Sequence, residues 1–150
     1  MADHIDLKII KLLQHNARIS NAEIARAVGM APSATLERLR KLEEQGVILG
    51  YETRVNPKEL GLDLLAFVFV NVTGSEDVGE RLAQIPEVQE VHNIAGEDCY
   101  LVKVRTRDTA ELATVLREKF RGIDPGISTK TTVVLTSLKE SSMLPLPEGE

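Results

Sequence analysis

Between Pro32 and Gly46, Ser33, Glu37, Arg38 and Lys41 recur at helical spacing, so on an α-helix they share one face. Hydroxyl, carboxylate, guanidinium and ammonium groups on an exposed helix face can read base edges in a major groove and grip phosphate oxygens. The candidate DNA contacts are Ser33, Ala34, Thr35, Glu37, Arg38 and Lys41, with Arg54 further along as a backbone contact. Thr35 also belongs to the stripe Thr35, Leu36, Leu39, Leu42 that such a helix turns inward. Glu37 can accept from a cytosine amino group or pair with Lys41 one turn on. Residues for covalent or metal chemistry are sparse by comparison. Cys99 is the single cysteine, and His4, His15 and His92 are far apart, which leaves no disulfide and no zinc-ligand spacing. His92 could approach Cys99 only across a hairpin, and no phosphate-cradling glycine loop is present. Neither catalysis, a metal nor a cofactor is expected.

Three helices must position the DNA-facing set. Ile5, Ile9, Leu12 and Leu13 form the apolar stripe of the first, with Asp3 as its cap and Asp6 in its first turn, where the helix dipole favours a carboxylate. Ser20-Asn21-Ala22-Glu23 fits a capping box for the second, whose inner face is Ile24, Ala25 and Val28. Gly29 suits the sharp turn, Met30 tucks beneath it, and Pro32 opens the third helix. This is a helix-turn-helix. The stretch Val47–Val55 predicts a short hairpin, a wing that carries Arg54 towards a DNA backbone.

The chain of 150 residues carries a net charge of −5, unevenly spread. Residues 1–55 hold eight Lys/Arg against seven Asp/Glu, and residues 56–150 hold ten against sixteen. A pI near 5.3 argues against indiscriminate binding of nucleic acid but permits a small local site in the first third. The longest apolar run, Leu64–Val70, is far short of the ~20 residues that span a bilayer, so no membrane partner is expected. The absence of a secretory signal and the lone cysteine point to a reducing cytoplasm. The reading divides the chain into a DNA-binding domain (1–55), a turn-rich linker (56–63), a second domain (64–140) and an extended tail (141–150) in which Leu and Pro alternate.

The second domain reads as βαββαβ. A strand from Leu64 to Thr73 leads to a helix capped by Ser75 with inner residues Val78, Leu82 and Ile85. Strands follow at Val88–Ile94 and Tyr100–Thr106. Asp108-Thr109-Ala110-Glu111 opens a second helix with Leu112, Val115, Leu116 and Phe120 inward, and a last strand runs from Ser128 to Leu138. This is the ferredoxin-like α+β plan, with two helices on one face of an antiparallel sheet. The first strand is apolar on both faces: Ala66, Val68, Val70 and Val72 alternate with Leu65, Phe67 and Phe69. Two helices cover one face only, so something must cover the other, and a second copy does so with two-fold symmetry. A dimer also presents two reading helices about one turn of DNA apart, or a multiple of it. An RNA-binding sheet of this order needs stacking aromatics, which Val102-Lys103-Val104-Arg105 on the third strand does not supply. The alternative, a stand-alone amino-acid-sensing or protein-interaction module, leaves the helix-turn-helix without a role.

Five stretches, Ile5–Leu13, Ala17–Ala25, Val28–Ser33, Arg38–Glu43 and Gly46–Tyr51, together with the βαββαβ order, make the chain resemble the Lrp/AsnC (feast/famine) transcription regulators almost end to end. The resemblance implies sequence-specific binding of double-stranded DNA. It also implies a second domain that forms homodimers and higher assemblies such as octamers, and that binds a small-molecule effector, an amino acid, near the loop between its second and third strands. That loop is Gly96, Glu97, Asp98, Cys99 and Tyr100. Gly96 and Tyr100 match the family pattern, whereas Cys99 stands where an aspartate is usual and Asp98 falls one place early, which in a strand reverses the face presented. The resemblance also places Ala31 where a serine commonly caps the reading helix, Thr35 at a usually branched aliphatic position, and Glu37 where basic or aromatic residues are frequent.

Overall fold

The computed structural model describes residues 3–74 and 76–147. The chain forms two units: one holds the residues up to Arg54 together with the segment from Glu140, the other Val55–Lys139. The tail thus groups with the first unit, although it emerges from the second.

In the first unit, α1 (His4–His15) starts on a reciprocal cap. The Asp6 amide donates to the Asp3 carboxylate at 2.9 Å, and the Asp3 amide donates to Asp6 at 3.3 Å. α2 (Asn21–Val28) starts where the Ser20 hydroxyl accepts from the Glu23 amide at 3.1 Å. It ends on Gly29 at φ 71°, a left-handed conformation that side chains rarely adopt, and the Met30 amide returns to the Ala25 carbonyl at 3.0 Å. α3 (Pro32–Glu44) follows within three residues. Ile9, Ile24 and Leu42 bury themselves between the three helices, one from each, with Leu12, Leu13, Val28 and Leu39 packed around them. Beyond α3 the expectation fails. Residues 49–56 are neither helix nor paired strand, so the wing hairpin does not form among the described residues. Leu49 is 96% exposed, and a two-stranded ribbon without an apolar face to rest on is marginal in water.

In the second unit, β1 (Leu64–Asn71), α4 (Val78–Leu82), β2 (Val88–Asn93), β3 (Tyr100–Thr106), α5 (Thr109–Thr114) and β4 (Ser128–Val133) follow the expected order. The wider π-helical turns Val115–Phe120 and a last turn, α6 (Arg121–Ile123), prolong α5. The sheet order is β2-β3-β1-β4, with every neighbouring pair antiparallel. Ser75, read as a helix cap, lies outside the described residues; the helix begins at Val78 with Asp77 as its cap residue. β4 stops at Val133 rather than Leu138 because its partner runs out. Ala66 pairs with Val133, the Val134 amide donates to the Leu65 carbonyl at 2.9 Å, and β1 begins at Leu64.

Register separates the two faces of this sheet. Ala66, Val68 and Val70 lie beside Val104, Val102 and Tyr100 on the face that buries Val78, Leu82, Leu112, Val115 and Phe120. Leu65, Phe67 and Phe69 lie beside Arg105, Lys103 and Leu101 on the other face. There Phe67, Phe69 and Leu101 are only partly buried, ringed by Glu90, His92, Lys130 and Thr132. Glu90 accepts from His92 at 2.8 Å and pairs with Lys103 at 3.4 Å. Among the described residues no helix is long and apolar enough to cross a membrane.

Candidate nucleic-acid interface and effector loop

α3 is held by its turn rather than by its own cap. Ala31 has no side chain to offer the first amides, and the Asn21 amide group donates to the Pro32 carbonyl at 3.0 Å, tying the start of α2 to the start of α3. Ser33, Glu37 and Lys41 are exposed on α3, and Ala34 is partly so. Arg40, which the sequence reading left out, is exposed on the same side, seven residues from Ser33; that spacing was the signal for it. The groups brought together can donate to phosphate, read a guanine, or accept from a base amino group.

Two expected contacts are revised. Thr35 has no exposed surface, and its hydroxyl donates to the Ala31 carbonyl at 3.1 Å, so it is a core residue and not a DNA contact. Its inward stripe position prevails because a buried hydroxyl finds its partner one helical turn back. Arg38 reaches sideways to α1, where its Nη1 lies 2.7 Å from Asp3 and 3.2 Å from Asp6. The guanidinium thus clamps the first turn of α1 onto α3. The hydrogen bond from Arg38, followed by that from the Asp6 amide, holds the Asp3 carboxyl below the usual carboxylate range. A depressed folded value adds stability above the unfolded value and loses it as pH falls through the folded one. Arg38→Gln is therefore expected to move the acid-unfolding midpoint of the first unit to higher pH, measured by far-UV circular dichroism. An unchanged midpoint would remove the clamp from the account.

The segment after α3 is pinned at two points. The Tyr51 hydroxyl donates to Glu43 at 2.8 Å, and burial together with that carboxylate pushes the phenol up to about 12. Arg54 is exposed and donates through Nη2 to the Glu140 carbonyl at 2.8 Å.

In the second unit, the loop between β2 and β3 divides in two. Gly96 and Glu97 stand exposed at the tip, and Gly96 is not in the left-handed region that a tight hairpin glycine would occupy. Asp98, Cys99 and Tyr100 turn back into their own unit. Asp98 faces Lys130 at 3.6 Å, with its side chain 12% exposed. The Cys99 amide donates to the Val70 carbonyl at 3.0 Å, and its thiol lies 3.6 Å from both the Asn71 side-chain oxygen and the Val72 carbonyl. The Tyr100 ring rests on Gly79: a Cβ there would sit 2.8 Å from the ring, so only glycine allows this approach. The one-residue shift is thereby resolved into two inward contacts, a carboxylate on β4 and a thiol on the end of β1.

A trihelical reading unit joined to a ferredoxin-like sheet defines a DNA-binding regulator with a sensing or assembly domain. The comparisons agree in both halves. Residues 3–48 match the winged helix-turn-helix DNA-binding family, and residues 65–144 match the Lrp/AsnC ligand binding domain. The leucine-responsive regulatory protein of Haemophilus influenzae is 39% identical over 96% of this chain and 90% of its own length. The proline dehydrogenase transcriptional activator of Rhizobium radiobacter is 36% identical over 94% of each chain. A feast or famine regulatory protein from M. tuberculosis, solved in complex with L-methionine, superposes with a TM-score of 0.89 at 30% identity, covering 95% of this chain and 97% of that one. The chain belongs to the Lrp/AsnC family of transcription regulators. It is a DNA-binding protein, not an enzyme.

Proposed function

We propose that the chain is a cytoplasmic, two-fold-symmetric regulator that reads a palindromic DNA site with paired α3 helices and whose assembly or DNA affinity responds to an amino acid. The observation that carries the reading is the coincidence of an exposed polar α3 face with an apolar sheet face that its own unit covers only in part. One α3 per chain, with Glu37 diluting Lys41 and Arg40, is a weak cationic reader; pairing doubles the phosphate contacts. Ser33, Ala34 and Glu37 face base edges, Lys41 and Arg40 hold phosphate, and Arg54 reaches the backbone from the segment beyond α3. Arg38 supports this face through Asp3 and Asp6.

The relative bound to L-methionine supports an amino-acid effector. On this reading Gly96 and Glu97, which are exposed, meet the effector, while Asp98, Cys99 and Tyr100 shape the loop from inside. An effector that binds one assembly better than another shifts the balance by its differential affinity. A stand-alone sensing module finds no support in the exposed α3 face.

Gel-shift titration against genomic fragments at several salt concentrations tests the reading. A retarded complex that weakens with salt is expected, and Lys41→Ala lowers the salt slope by about one per reading unit. No retarded species at low salt, or one indifferent to salt, overturns it. Repeating the titration with each of the twenty amino acids identifies the effector.

A further inference from the structure

The tail beyond β4 returns to the reading unit, and the contact is specific. The Gln14 side-chain amide on α1 pairs with both backbone groups of one tail residue: Nε2 donates to the Leu144 carbonyl at 3.0 Å, and the Leu144 amide donates to Oε1 at 2.7 Å. A side-chain amide used in this way satisfies a residue's donor and acceptor as a neighbouring strand would. At the other end of the same segment, the Glu140 carbonyl accepts from Arg54.

Apolar burial seats this segment only in part: Leu146 is half-buried beside the α1 groove. Leu144 is 68% and Met143 46% exposed, and an open groove of about 490 Å³ remains between the tail and the α1 side chains Leu7, Lys8 and Lys11. The hydrogen bonds at Gln14 and Arg54 fix its register beside that contact. Arg54 in turn lies in a stretch without strand pairing, so the Glu140 carbonyl is what fixes its guanidinium. A carbonyl is neutral: the bond orients the cation, leaves its charge intact and uses one of five N–H donors.

We propose that Glu140–Pro147 is a strap, latched to α1 by Gln14, that preorganises Arg54 for the DNA backbone. Gln14 is a positioning residue and touches no DNA itself. The inference rests on the reading of Arg54 as a phosphate contact. Ordering the side chain beforehand removes part of the entropy that binding would otherwise cost.

The experiment uses the full chain, Gln14→Leu, and a variant ending at Lys139, each with and without Arg54→Ala. Amide exchange reads the latch without DNA: the Leu144 amide is expected to exchange about tenfold or more slowly in the full chain than in Gln14→Leu. DNA titration reads the consequence. Loss of the strap lowers affinity several-fold with the salt slope largely kept, because Arg54 retains its charge, and Arg54→Ala costs less without the strap than in the full chain, because the ordering was part of that contact's worth. A Leu144 amide that exchanges at the free-peptide rate in the full chain overturns the latch. Full additivity of Arg54→Ala with strap removal overturns the coupling. Both results leave the full chain's DNA binding standing, whereas a full chain that retains no DNA overturns the DNA reading and, with it, the role given to Arg54.

Discussion

Phe69→Asp is expected to abolish the proposed pairing of chains and with it to lower DNA affinity by about a hundredfold or more, the scale gained when two weak sites bind as one. Phe69 lies on the sheet face away from the helices, beside Leu101 on β3 and Lys130 on β4, with Phe67 and Leu65 next along its own strand. A second copy laid over this face would seal the three partly exposed apolar side chains Phe67, Phe69 and Leu101, with Glu90, His92, Lys103 and Lys130 around them, the usual anatomy of a protein interface. A carboxylate in the middle of that patch must shed its water when the second copy closes over it, which even beside Lys130 typically costs several kcal/mol. Folding of the subunit should survive, because Phe69 is outside the cluster around Phe120. Sedimentation analysis decides the matter. A wild-type chain that stays monomeric at working concentration, or a Phe69→Asp dimer as tight as wild type, would refute the pairing. Circular dichroism should meanwhile show the same secondary structure in both proteins.

Phe120→Ala should cost the second unit about 3–5 kcal/mol, much of what a domain of this size has to lose. Phe120 has no exposed surface and sits at the end of the π-helical turns, packed in one cluster with Val68, Val70, Val102 and Val104 of the sheet. Its removal leaves a cavity that the surrounding β-branched side chains, stiff at χ1, fill poorly. Urea unfolding should show a lower midpoint with an unchanged slope, the mark of lost stability without a changed denatured state. A loss under about 1 kcal/mol would mean that the helix rests on the sheet less firmly than its burial indicates.

Much of this architecture was legible because it is local. Asp3, Ser20 and Asp108 cap helices where their side chains accept from amides three residues on, Gly29 turns the chain at positive φ, and the alternation in Leu64–Val70 separates the two faces of β1. What failed depended on partners distant in sequence. Arg38 reads as a DNA contact until Asp3 and Asp6, more than thirty residues earlier, are found beside it. The hairpin after α3 and the end of β4 read as strands by composition, but a strand exists only where a neighbour accepts its hydrogen bonds.

The residues alone, then, determined a helix-turn-helix followed by a βαββαβ sheet, the family to which both belong, and a first strand apolar on both faces. Periodicity, caps and turns act over a few residues, so they are written in order along the chain. Only the tertiary structure decided that Thr35 faces the core, that Asp98 turns to Lys130 and Cys99 to the end of β1, and that the tail closes on Gln14 and Arg54. Each of those outcomes is a competition among side chains for a partner in space, and distance along the sequence carries no measure of it.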